Sequence, residues 1–229
     1  MDAPQFLRAL QLHDSFFPIG SFAYSDGLEA AVAHGLVADA EALAGWMRHY
    51  VEAVLPACDG PAVLGAAAAF GACDWEALIA LDRELTALKP AASIRAGSRQ
   101  LGRQLVTTWA RLHPSPPLAA LVGQIEAGHL AANLAVAHGA VCASAGLGAP
   151  EMLLGFAYGR LAGAASAALR LMAIGQQRAQ EILTARLAEL PAAVEAVVAR
   201  GVRPPSSFSP ALDVEQLTHR LVYSRLFRS

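Results

Sequence analysis

Glycine, proline and aspartate interrupt this chain roughly every 12 to 20 residues, and alanine and leucine dominate the stretches between them. Runs of β-branched residues with alternating polarity are scarce. Alanine and leucine lose least on entering a helix, whereas a half-buried strand needs period-two alternation. The chain is therefore read as all-α, with a single helical-bundle domain over residues 1–199. The stretch "RGVRPPSSFSPAL" (Arg200–Leu212) carries three prolines and three serines and cannot be helical throughout. Residues 200–229 are read as an extended arm that carries a short C-terminal docking helix away from the bundle.

The punctuation places helices at Gln5–Leu12, Ser25–Ala33, Ala40–Leu55, Gly60–Phe70, Trp75–Leu88, Ile94–Leu112, Leu118–Glu126, Leu130–Ala145, Glu151–Leu171, Ile174–Glu189, Ala192–Ala199 and Val214–Phe227. Asp39, Asp74 and Asp213 are the expected N-caps, because a carboxylate can accept the orphan amides of a first turn. Gly35, Gly146 and Gly201 follow helical patterns, where a left-handed residue closes the helix.

Hydrophobic residues make up 55% of the chain and charged residues 16%, so little charge is left to cover the surface. Part of that apolar surface is expected to lie against a partner. The longest stretch without Asp, Glu, Lys or Arg, Ala127–Pro150, contains His129, Asn133, His138 and several glycines, and its bulk is alanine, which does not suit a membrane span. The N-terminal MDAPQFLRAL has no basic segment followed by a long apolar one, so the expected setting is the cytoplasm, with no membrane partner.

Net charge is −2, yet residues 1–88 carry twelve acids and three bases, net −9, and residues 89–229 carry seven acids and fourteen bases, net +7. Such asymmetry points to contact between the halves or with a second protein rather than with nucleic acid, whose binders show an overall basic balance. Arg95, Arg99 and Arg103 recur at helical spacing and draw a basic stripe that is either a solvated face or a dock for an acidic partner.

No catalytic constellation emerges. Nucleotide-binding glycine loops, nucleophile elbows and HExxH are absent from the sequence. Asp14 and Glu29 are read as capping or solvent-exposed carboxylates rather than an acid and base pair. His138 and Cys142 share a helix face at i, i+4, but two ligands make a weak metal site, and no stably bound cofactor or metal is expected. Cys58, Cys73 and Cys142 have no CxxC spacing and are read as inert thiols.

"FFPIGSFAYSDGLE" (Phe16–Glu29) is a turn and a helix start rather than a site of chemistry. Phe17-Pro18-Ile19-Gly20 suits a type I turn, and Ser25 or Asp26 suits an N-cap with Glu29 in the first helical turn. Phe16, Phe17, Phe22 and Tyr24 flank the turn, and a segment this short cannot point all four rings inward. Some are left to anchor an interface.

Three ordered segments carry a family resemblance. "LQLHDSFFPIGSFAYSDGLE" (Leu10–Glu29), "ALRLMAIGQQRAQEIL" (Ala168–Leu183) and "FSPALDVEQLTHRLVYSRLFRS" (Phe208–Ser229) resemble the signature segments of the UreF family of urease accessory proteins. "GRLAGAASAAL" from Gly159 departs from the family's polar pair near that point. The resemblance implies an all-α, non-enzymatic protein that homodimerises and binds UreD (UreH). It further implies recruitment of the GTPase UreG, with an effect on GTP hydrolysis or metal release, so that the complex handles nickel on its way to apo-urease. By the same resemblance Phe22, Tyr158, Arg225 and Phe227 fall at dimer or partner contacts, and Arg170 and Gln176 face the GTPase. The alternative from a different class is a nickel-binding metallochaperone using its own His138, Cys142 and further histidines.

Overall fold

A computed structural model describes residues 1–228. It is all-α: 73% of the chain is helical and no strand occurs among the described residues. The helices are α1 (Ala3–His13), α2 (Leu28–Ala33), α3 (Ala40–His49), α4 (Gly60–Gly71), α5 (Trp75–Ala87), α6 (Ala92–Leu112), α7 (Pro116–Glu126), α8 (Leu134–Ser144), α9 (Ala149–Leu171), α10 (Gln176–Ala199) and α11 (Pro210–Thr218), followed by a 3₁₀ turn at His219–Leu221.

α8 is the axis of the bundle. Residues 135–142 are buried on every side, as expected for a helix that is apolar all round. It packs on α4 and α6 at backbone contact distance. A Cβ at Gly139 would lie 2.2 Å from the Val63 carbonyl oxygen, and one at Gly102 would lie 2.0 Å from that of Ala132. Backbone cannot retreat as a flexible side chain can. Gly139→Ala is therefore expected to cost about 1–3 kcal/mol by forcing α4 and α8 apart, read as a lower denaturation midpoint with unchanged helical content.

Between α3 and α4 the chain stays helical but widens into a π-helical segment, Tyr50–Asp59, with Pro56 inside it. Proline removes a donor and its ring clashes with the carbonyl four residues earlier, so the wider turn relieves the conflict. Pro61 at the start of α4 likewise offers no donor to the carbonyls four and five residues before it, those of Ala57 and Pro56. Both are taken up by the C-terminal arm: Ser206 N–H donates to Ala57 O at 2.8 Å, and Arg203 Nη2 donates to Pro56 O at 2.6 Å.

That contact corrects the expected course of the arm, which folds back along the bundle instead of leading away from it. Its final helix also starts earlier and ends earlier than expected. α11 begins after Ser209, whose hydroxyl meets His49 Nε2 at 3.0 Å, and Asp213 lies within its first turn rather than at the cap. Residues 222–228 are not helical, because their backbone is held by other groups described below.

Other differences are local. Asp39 and Asp74 cap α3 and α5 as expected, accepting from Glu41 and Ala42 and from Ala77. Gly35, Gly146 and Gly201 take positive φ values. α10 runs unbroken through Pro191, which the sequence reading takes as a break. Residues 130–133 are not helical, because buried Asp82 of α5 draws their amides to itself: Ala131 N, Ala132 N and Asn133 N donate to its carboxylate at 2.8, 3.1 and 2.7 Å. Two helical stretches, Ala40–Gly71 and Ala149–Leu171, are long and apolar enough to cross a bilayer by length and composition, and 61% and 44% of their apolar windows are buried within the protein.

Candidate docking face

The N-terminal signature and the C-terminal tail meet beside α9. Phe17 is buried and lies 6.2 Å from the Trp109 ring, and the turn it begins is tighter than a type I turn, with Ile19 N donating to Phe17 O at 2.8 Å. Pro18 at the centre of that three-residue turn has the φ it requires. Gly20 then turns the chain with φ +81°, and Tyr24 drops against α6, its hydroxyl donating to Gln100 at 2.9 Å. Phe16 and Phe22 are left pointing outward, 93% and 52% exposed. Asp14 is exposed and accepts from Phe16 N at 2.6 Å, a local turn contact.

α2 begins at Leu28 after Gly27 rather than at Ser25. Ser25 Oγ accepts from Glu29 N at 3.3 Å. Glu29 itself overturns the expectation of a solvent-exposed carboxylate: it is 3% exposed and anchors the tail. It accepts from His219 Nε2 at 2.6 Å, from Leu226 N at 2.5 Å and from Phe227 N at 3.3 Å. His219 is buried as well, and Arg228 N adds a bond to Ala23 O at 2.8 Å. One carboxylate therefore substitutes for the helical partners that residues 226 and 227 lack. A second pair, His34 Nδ1 with Glu215 at 2.7 Å, fastens α11 to the end of α2.

Arg170, at the end of α9, joins the two segments. It donates to Phe22 O at 3.2 Å, and its guanidinium lies 4.3 Å from the centre of the Phe227 ring. Phe227 is 6% exposed, so its ring is part of the interior, while Arg225 is exposed. Tyr158, 42% exposed, lies on the same side of α9 as Leu169, since 11 residues make about three turns. Gln176 is exposed at the first position of α10. The structure thus gathers Phe22, Arg170 and Phe227 into one contact set and leaves Tyr158, Arg225 and Gln176 as separate exposed side chains. Tyr223, Leu221 and Leu226 of the tail are also exposed.

A partly exposed ion pair, which the sequence reading did not find, joins α9 to the N-terminal segment. Arg160 of α9 pairs with Asp26 and places its guanidinium 5.8 Å from the Tyr50 ring centre. Burial lowers its pKa to about 10. Asp26 has φ +56°, a left-handed conformation that costs a non-glycine residue about 1 kcal/mol and that aspartate tolerates better than most. Glu29 and His219 do stand in two of the three signature segments, and that was the available signal for them. Their meeting across the fold was not.

The basic stripe is mostly occupied. Arg95 donates to the carbonyls of Lys89 and Pro90, Arg99 to Thr86 Oγ1 and Arg103 to Ala131 O, so the three tie α6 to α5 and to the loops before α6 and α8. Of the thiols, Cys58 and Cys142 are buried and Cys73 is exposed. Burial pushes Cys58 up to about 12 and Cys142 higher still, which keeps both protonated in the free protein. The groups able to hold a metal are His138 and Cys142, with His13 brought to them from α1.

The sequence profile described as UreF matches residues 37–187. The chain is 35% identical over 225 residues to the urease accessory protein UreF of Pseudomonas putida, covering 97% of each. It is 31% identical over 229 residues to the UreF of Paracidovorax citrulli, covering all of this chain and 91% of the relative. It is 28% identical over 227 residues to that of Yersinia pseudotuberculosis, covering 99% of both.

Proposed function

The chain belongs to the UreF family of urease accessory proteins, and on that footing we propose that it serves urease maturation as a non-enzymatic scaffold. In this reading it is a cytoplasmic homodimer that binds UreD (UreH), recruits the GTPase UreG and assists nickel delivery to apo-urease. The observation that carries the reading is the joining of the two end segments through Glu29 and Arg170, where Phe22 stays half exposed and Tyr223 of the tail stands fully exposed. Exposed apolar concentrations rimmed by polar groups mark protein interfaces, and aromatic residues dominate their energetics. Arg170 and Gln176 sit at the α9–α10 junction, where a GTPase docked on this face would meet them. An influence on GTP hydrolysis is part of the same proposal. Since the Arg170 guanidinium is already engaged by Phe22 and Phe227, its first role is to hold the face together.

Co-purification with UreD and UreG homologues tests the reading. Phe22→Ala combined with Tyr223→Ala is expected to weaken capture of UreD by about tenfold or more, the loss typical of two interface anchors. The denaturation midpoint should change little, because the Tyr223 ring is already in solvent and about half of Phe22 is. A stable monomer that captures neither partner would refute the scaffold.

A further inference from the structure

His13 of α1 and His138 and Cys142 of α8 bring three metal-ligating atoms within 4.8 Å of one another inside the bundle. The arrangement is oriented as well as close. His13 Nδ1 donates to Ala9 O at 2.7 Å, which places the ring proton on Nδ1 and leaves the lone pair on Nε2. That Nε2 is buried and has no hydrogen-bond partner. An imidazole held through one nitrogen by a backbone carbonyl, with the other nitrogen free, is the usual arrangement of a metal-binding histidine. His138 is buried in the same space, 6% exposed. Cys142 Sγ lies 3.2 Å from His138 Nε2. In the free protein His138 Nε2–H donates to the Met152 carbonyl at 3.1 Å, so ligation through Nε2 moves that proton to Nδ1.

The surroundings leave space for His13 in particular. A Cβ at Gly155 of α9 would fall 2.1 Å from His13 Nε2, so this imidazole sits where any larger residue would place its side chain. Phe156 packs edge-on against His138, with ring centres 5.0 Å apart. In a tetrahedral site with bonds of about 2.0–2.3 Å, ligand atoms are separated by about 3.5 Å. The observed spacing closes to that by small side-chain rotations.

We infer that His13, His138 and Cys142 form an internal site for one divalent late transition-metal ion, Zn²⁺ or Ni²⁺, the class that two imidazole nitrogens and one thiolate suit. On binding, the Cys142 S–H bond breaks, a metal–sulfur bond forms and the proton passes to solvent. The sequence reading takes His138 and Cys142 as a weak pair, kept within the metallochaperone alternative, and the fold supplies the third donor. The site stands apart from the docking reading, because it is interior and belongs to the isolated chain.

The test is titration of the purified full chain with Co²⁺, Zn²⁺ and Ni²⁺. Stoichiometric Co²⁺ is expected to give thiolate-to-metal charge-transfer absorption, displaced by Zn²⁺, with a raised denaturation midpoint. Cys142→Ser should abolish that absorption. His13→Ala and Gly155→Ala should each weaken binding by about tenfold or more; Gly155→Ala meets only the end of a side chain and should fold normally. His129→Ala, on the surface, should change nothing. Absence of the absorption in the unmodified protein would overturn the site, as would wild-type affinity in folded Gly155→Ala. Either result would leave capture of UreD unaffected, so the two proposals fail separately.

Discussion

Glu29→Ala is expected to free residues 219–228 from the bundle while the rest of the chain remains folded. The carboxylate is almost wholly buried and serves His219 and two backbone amides at once. Alanine would leave a buried imidazole and two N–H groups without acceptors, and stranding buried polar partners of this kind costs about 3–5 kcal/mol. The loss falls on the docked tail, since Phe227 is the main apolar group that the tail contributes to the core. Hydrogen exchange and limited proteolysis should therefore show residues 219–228 unprotected, with protection in α4 and α8 retained. Glu29→Gln keeps one acceptor oxygen and should give a smaller loss. If the tail stays protected in Glu29→Ala, the anchor is elsewhere. Under the scaffold reading, the same variant should also lose UreD capture, because the exposed rings of the tail would no longer be presented in one geometry.

Asp82→Ala should damage the whole bundle. Asp82 is 1% exposed and accepts from three consecutive amides, Ala131 to Asn133, and from Asn133 Nδ2 at 2.9 Å. Asn133 Nδ2 also reaches Thr86 Oγ1 at 2.8 Å. This set holds Ala132 at φ +62°, and the Ala132 carbonyl is what packs against Gly102. Removing the carboxylate strands several buried donors and lets the left-handed alanine relax, which withdraws support from the start of α8. A loss of about 3–5 kcal/mol is a large part of the 5–15 kcal/mol typical of a domain. It corresponds to a fall in denaturation midpoint of about 10 °C. A midpoint within a degree or two of the parent would refute the role given to Asp82. Asp82→Asn should also be harmful, because its amide group would face the same N–H donors.

The contrast between Asp39 and Glu29 shows how far the chain could be read in advance. Asp39 precedes an amphipathic helix and caps it, a local act decided within four residues. Glu29 has the same local description, a carboxylate at a helix start, and its actual partners lie about 190 residues further on. The difference comes from position in three dimensions: α2 is short and enclosed between α9 and α11, so a carboxylate in its first turn cannot reach water and the tail supplies its donors. His13 is similar. As a lone histidine at the end of α1 it signals nothing, and only the packing of α1 on α9, over Gly155, brings it to His138 and Cys142. The turn at Phe17–Gly20 and the break expected at Pro191 went differently for a simpler reason, since proline restricts its own φ without specifying which hydrogen bond its neighbours make.

By itself the sequence determined the all-α class, most helix positions, the caps at Asp39 and Asp74, the glycine turns and, through three ordered segments, membership of the UreF family. These rest on backbone preference and on spacing within one or two turns, which a linear string records. The tertiary structure alone decided that the arm returns to the bundle, that Phe227 is interior while Phe22 is not, that Asp82 unwinds the approach to α8, and that the arginine stripe is already bonded. Each of these turns on which buried donors and acceptors find one another across the core, and an unpaired polar group there costs more than any local preference of the chain.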